Sequence, residues 1–123
     1  SMDTEVWQKR LATLPLASYG AGEAVFSEGT KTGRLLILKT GRVSIVKGGT
    51  EIAQVAEPGV VFGEISALTG DPPTADVVAR TVLRCLVIPA VQLERLLLDR
   101  PQFMLRLLRM EARRLQGTVE WRQ

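Results

Sequence analysis

Phe62-Gly63-Glu64-Ile65-Ser66-Ala67-Leu68-Thr69-Gly70-Asp71-Pro72-Pro73-Thr74-Ala75-Asp76-Val77 is the stretch whose reading decides the fold. It leaves an apolar run, Val60-Val61-Phe62, passes through Gly63, and enters a short segment, Glu64 to Leu68, of helical character. Thr69 to Pro73 reads as a tight loop, and Thr74 opens the next extended run. A glycine before a helical turn lets a ligand come close to the backbone, because no Cβ stands in the way. The first N–H groups of such a turn have no partner within the helix and can hold an anion. A carboxylate repels a phosphate, so Glu64 at the mouth of this nest suits a neighbouring hydroxyl, such as that of a sugar. An anion cradle beside a carboxylate reads as a site for a sugar phosphate. The same two residues also suit a plain helix start, since an acid in the first turn is favourable with no ligand present.

Outward from this stretch the chain is mostly short extended runs. Upstream, Tyr19 to Glu23 reads as a turn, Ala24-Val25-Phe26 as a strand, and Ser27 to Gly33 as a polar loop. Leu35 to Leu38 and Val43 to Val46 are strands joined through Thr40-Gly41. Gly48-Gly49 is a hairpin turn into a returning strand, Glu51 to Ala56, and Pro58-Gly59 turns again into Val60 to Phe62. Downstream, Ala75 to Arg80 and Val82 to Ile88 are two more strands, rich in valine and leucine. Many short strands at close, regular spacing predict a sandwich or barrel whose sheet closes on itself.

Helices flank this region. Val6, Trp7, Leu11 and Leu14 recur at helical spacing after Asp3-Thr4, predicting a helix from Thr4 to Thr13 that Pro15 ends, with Trp7 as a packing anchor. Pro89 closes the last strand. Leu93, Leu96 and Leu97 mark a short helix ending near Asp99, and Pro101 suits the first position of the next. That helix places Met104, Leu107, Leu108 and Leu115 on one face, with Phe103 and Met110 beside it.

The ordered pattern resembles the cyclic-nucleotide-binding domain family, as in sensor domains like that of the cyclic AMP receptor protein. The family's phosphate-binding cassette runs Phe-Gly-Glu, an apolar stretch, a Gly-containing loop, then Pro-Arg, a small residue, Ala and a strand. Phe62, Gly63, Glu64, Ile65, Leu68, Gly70, Pro72, Thr74, Ala75 and Val77 fall on it. Gly22 to Phe26 with Glu28-Gly29 is similar to the family's first strand pair, and Leu36 to Val46 to its central hairpin. The resemblance runs from about Leu14 to Leu115. It implies a mainly β fold with flanking helices: an eight-stranded β-roll of jelly-roll (double-stranded β-helix) type with an N-terminal helix and C-terminal B and C helices. It implies a division into residues 1–16 (N-terminal helix, with Ser1 before Met2 as a tag remnant), 17–89 (the roll, with the cassette at 62–77) and 90–123 (helices serving as hinge and dimer contact). It also implies a ligand, cyclic AMP or cyclic GMP, with Glu64 on the ribose, the amides of Gly63 to Ser66 on the phosphate, and the Thr74 hydroxyl adding a contact. The candidate ligand-binding set is Phe62, Gly63, Glu64, Ile65, Ser66, Thr74 and Ala75.

One departure is plain: the cassette arginine is Pro73 here. Arg80 lies about 23 Å along an extended strand from it, and Arg42 belongs to another hairpin, so neither is an obvious stand-in. Asp76 would oppose a phosphate if it faced the pocket. Two readings follow: a cyclic nucleotide sensor with an altered cassette, or a degenerate, non-binding relative acting through its C-terminal helix as an interaction or dimerisation module. A third is the sensor half of a transcription regulator.

Composition narrows the alternatives. With 46% hydrophobic and 24% charged residues over 123, this is an ordinary globular chain with one core, not a disordered one. The absence of histidine removes the commonest general base and metal ligand, and a single cysteine rules out an internal disulfide. No nucleophile stands with a base, and no metal-ligand spacing or P-loop is present, so no enzyme, metal or cofactor is expected. Cys85, mid-strand, reads as packing. Arg106, Arg109, Arg113 and Arg114 read as the solvated side of the last helix, and no direct DNA binding is expected from these residues alone. No run approaches bilayer length, and a cytoplasmic location is expected.

Overall fold

The computed structural model describes residues 14–116. The helix expected over Thr4–Thr13 lies outside them. Eight strands form two four-stranded antiparallel sheets. They are β1 (Leu16–Tyr19), β2 (Ala24–Phe26), β3 (Arg34–Thr40), β4 (Val43–Lys47), β5 (Thr50–Val55), β6 (Val61–Phe62), β7 (Asp76–Ala79) and β8 (Leu83–Pro89). Three helices are described: α1 (Glu64–Thr69), α2 (Ala90–Asp99) and α3 (Pro101–Gln116). One sheet has the order β1-β8-β3-β6 and the other β2-β7-β4-β5, so every chain crossing between them helps close the roll. This is the expected eight-stranded jelly roll with C-terminal helices.

Side-chain alternation divides the core in two. Leu36 and Leu38 of β3 and Leu83 and Cys85 of β8 face Phe26, Val43, Ile45, Val77 and Ala79 of the second sheet, filling the space between the sheets. Leu35, Ile37 and Ile88 point the other way, onto Leu93 of α2 and Phe103 and Leu107 of α3. The first sheet is therefore covered on both faces. That explains why Leu35-Leu36-Ile37-Leu38 reads as an unbroken apolar run rather than an alternating one. Turns follow the sequence closely. Lys47 pairs with Thr50 across Gly48-Gly49, both at positive φ, as a two-residue hairpin requires. Gly41, at φ 104°, has the Val82 carbonyl against the place where a Cβ would sit, so only glycine fits between the β3–β4 turn and the start of β8.

Two expectations change. Leu16 to Tyr19 is a strand at the sheet edge paired to Leu86–Leu83, so Tyr19 belongs to β1 and not to the turn that follows. On α3 the buried stripe is Phe103 and Leu107, with Met110 partly covered. Met104 and Leu108, one helical step round, are 44% and 60% exposed, and Leu105 is exposed beside them. Of the expected face of Met104, Leu107, Leu108 and Leu115, the Leu115 side chain lies outside those described, and among the other three Leu107 alone packs inward, because apolar residues cover more of this helix than one neighbour can bury. Among the described residues, no helix is long and apolar enough to cross a membrane.

Candidate functional site

The cassette forms where β6 ends. Gly63 takes the left-handed conformation, φ 85°, which turns the chain out of the sheet and into α1. It is also wedged in place: a Cβ there would lie 2.7 Å from Cζ of Phe26 and 3.1 Å from the Arg34 carbonyl oxygen. The single turn that follows is closed by hydrogen bonds from Ala67 N–H to the Gly63 carbonyl (3.0 Å) and from Gly70 N–H to the Ser66 carbonyl (2.9 Å). Gly70, at φ 78°, then ends the helix.

Glu64 is fully buried, at 0% exposure, the most deeply buried acid among the described residues. A carboxylate drawn so far inside is expensive without compensating polar groups, which sets Glu64 apart from a solvated first-turn acid. Phe62 and Ala75 are buried with it, Ile65 and Ser66 are half-buried, and Thr74 is exposed. The seven candidate residues therefore bracket one short segment, with Phe62 to Ser66 on one side of the loop and Thr74-Ala75 on the other. The Ser66 hydroxyl donates to the Asp71 carbonyl and Thr69 Oγ1 donates to the Ile65 carbonyl, at 2.8 Å, so these side chains brace the loop. The Ser66 hydroxyl is thus committed to the loop.

Pro73 is buried, and its carbonyl accepts from Gly29 N–H at 2.9 Å, strapping the loop between β2 and β3 to the cassette. The cations weighed as stand-ins are committed elsewhere. Arg80 Nε donates to Ser44 Oγ (2.8 Å) and Arg42 Nη1 to Gln54 Oε1 (3.1 Å), both on the outer face of the second sheet. Glu51 accepts from Ser44 in the same cluster. The Ser44 hydroxyl first, then Gln54, hold its carboxyl below the usual range, with burial opposing and Arg80 and Arg42 assisting. Asp76 also points outward, alternating with the inward Val77, and accepts from Glu28 N–H at 2.7 Å. It does not oppose an anion in the roll.

A different cation lies inside. Arg34 shares its strand face with Leu36 and Leu38, and its guanidinium carbon sits 5.8 Å from the Tyr19 ring centroid and 5.9 Å from that of Phe26. Its charge reaches Cys85, in the same interior. Burial pushes the Cys85 thiol up to about 11 from 9.0, and the Arg34 charge partly offsets this. A neutral, buried thiol is a poor nucleophile, so Cys85 is expected to stay unreactive toward a disulfide reagent at pH 8 in the folded protein and to react at once after denaturation. The raised value also means that the unfolded chain loses this proton first, so stability falls as pH rises from about 9 toward about 11. Rapid labelling of the native protein at pH 8 would contradict this placement. The sequence reading passes over Arg34 because nothing local tells which face of a doubly covered strand it occupies.

Comparison with known proteins agrees with this architecture. The cyclic nucleotide-binding domain family matches residues 16–100. The chain is 33% identical over 101 residues to a CRP-like cAMP-activated global transcriptional regulator of Mycobacterium tuberculosis, covering 79% of this chain and 45% of that protein. It is thus similar to less than half the length of that relative. Among solved structures, it resembles the catabolite activator protein of Thermus thermophilus, with TM-score 0.80 and 26% identity, covering 91% of this chain and 55% of that one. It also resembles a cyclic nucleotide-binding domain from Methylobacillus flagellatus, with TM-score 0.80 and 26% identity, covering 91% of this chain and 67% of that one.

Proposed function

The chain belongs to the cyclic nucleotide-binding domain family, and from that premise we propose that it is a cytosolic regulatory sensor module that binds cyclic AMP or cyclic GMP and catalyses nothing. The observation that carries this reading is the complete burial of Glu64 directly after the left-handed Gly63. A carboxylate held inside the roll at the start of α1 is placed to accept from a ribose hydroxyl. The amides of Gly63 to Ser66 and the Thr74 hydroxyl serve the cyclic phosphate, and Phe62, Ile65 and Ala75 form the surrounding walls. Binding draws the cassette toward the roll. Because α1 packs on both β3 and α2, that movement biases the position of the C-terminal helices, a population shift set by the difference in contacts between the two states.

The test is a melting experiment. Ligand at a hundred times its Kd stabilises the folded state by about 2.7 kcal/mol, so cyclic nucleotide is expected to raise the Tm of the wild type and leave that of Glu64→Ala unmoved. Equal shifts in both proteins would remove Glu64 from the site.

A second reading rests on Pro73 in the arginine position and on the exposed Met104, Leu105 and Leu108 of α3. On it, the chain is a non-binding module that pairs with a second copy through this helix. Sedimentation separates the two: a monomer with an intact ligand response excludes the second. The short coverage of the mycobacterial relative is compatible with either module serving as the sensor half of a transcription regulator.

A further inference from the structure

We propose that Arg34 supplies the positive charge for the ligand's phosphate, from inside the roll, with the Tyr19 hydroxyl as a second donor. The inference rests on the cyclic nucleotide reading for the identity of the ligand, but the anion site itself stands on three separate observations.

First, Arg34 is placed on the inner face. It alternates with Leu35 and so falls in line with Leu36 and Leu38, which pack between the sheets. Its backbone carbonyl lies 3.1 Å from where a Cβ on Gly63, the cassette's entry residue, would stand, and the Phe26 ring beside the guanidinium closes in on the same point. The guanidinium is therefore one side chain removed from the amides of the cassette.

Second, it is held but not neutralised. The rings of Tyr19 and Phe26 lie 5.8 and 5.9 Å from it, which fixes the group by cation–π attraction while using none of its five N–H donors. Among the described residues no carboxylate forms an ion pair with it. A half-buried guanidinium whose donors have no protein partner among the described residues is a group that a phosphate can satisfy in a forked, charge-assisted contact.

Third, Tyr19 Oη is buried and has no hydrogen-bond partner among the described residues. Leaving a buried hydroxyl unmatched is unfavourable, and this one belongs to the ring beside the guanidinium. Two donor groups without a partner among the described residues thus lie side by side, the guanidinium also flanking the Phe26 ring that closes in on Gly63. Pro73 needs no cationic replacement on its own loop if the charge comes from the opposite wall.

The experiment uses the chain with its arginines labelled by nitrogen-15. Cyclic AMP is titrated into wild type, Arg34→Met and Arg34→Lys, with folding checked by circular dichroism. In parallel the Arg34 Nε–H resonance of the wild type is followed as cyclic AMP and, separately, inorganic phosphate are added. Arg34→Met is expected to bind cyclic AMP about ten- to a hundredfold more weakly. Arg34→Lys, which keeps the charge but not the fork, is expected to fall between it and the wild type. The wild-type resonance is expected to shift saturably. Undiminished cyclic AMP affinity in Arg34→Met overturns the assignment and leaves the nucleotide reading standing. If cyclic AMP does not bind the wild type but phosphate moves the Arg34 resonance, the anion site is upheld and the nucleotide reading falls. If neither ligand moves it, the assignment fails, and that arm decides the matter even if Arg34→Met does not fold.

Discussion

Gly63→Ala is expected to lower the melting temperature by roughly 10 °C or more, at about 3–6 °C per kcal/mol for a chain of this size. Two costs combine. An alanine at φ 85° is in the left-handed region, a strain of about 1 kcal/mol or more. Its methyl group would lie 2.7 Å from the Phe26 ring and 3.1 Å from the Arg34 carbonyl, and pushing a packed ring aside costs about 1–3 kcal/mol. The ring can tilt, but the carbonyl belongs to β3, which pairs with both β6 and β8 and cannot yield alone. Thermal melting measures the sum. A Tm within 2 °C of the wild type, on the same scale, would mean that the Phe26 ring and the Arg34 carbonyl leave room for a methyl group at the cassette entry.

Phe26→Ala is the second large effect, expected at about 3–5 kcal/mol in urea unfolding with an unchanged m-value. Phe26 is 1% exposed and stands between the sheets, against residues of both. It also abuts Gly63 and underlies Arg34, so truncation leaves a cavity at the junction of the core, the cassette and the interior cation. The two substitutions share a contact and should not add. In a Phe26→Leu background, Gly63→Ala is expected to cost measurably less than in the wild type, because the smaller side chain vacates the position the new methyl needs. Strict additivity would deny the contact.

Much of this fold is legible in the sequence because its local signals agree. Gly48-Gly49 between two alternating runs can only be a hairpin of the observed kind, and Pro101 begins α3 where its missing N–H does no harm. Gly63-Glu64 announces the cassette because a glycine and an acid at a strand end need a turn and a helix start respectively. What stays hidden depends on distant partners. Leu16 to Tyr19 is a short, half-exposed edge strand with no alternation strong enough to separate it from a loop. Only its pairing with Leu83–Leu86, at the far end of the roll, makes it a strand. Arg34 is hidden for the opposite reason: Leu35 to Leu38 is covered on both faces, so the apolar run carries no parity from which the direction of Arg34 could be read. On α3, apolar residues occupy so much of the surface that periodicity does not choose between the Met104–Leu108 and Phe103–Met110 lines. Packing against the first sheet makes that choice.

On the proposed function, this roll would hold a cyclic nucleotide although its cassette carries Pro73 where a guanidinium is usual. Isothermal calorimetry of the folded chain with cyclic AMP and with cyclic GMP is the deciding measurement. A saturable heat of binding, one site per chain, for at least one of the two is the predicted result. No heat with either ligand at millimolar concentration, from protein whose melting transition is intact, would contradict it.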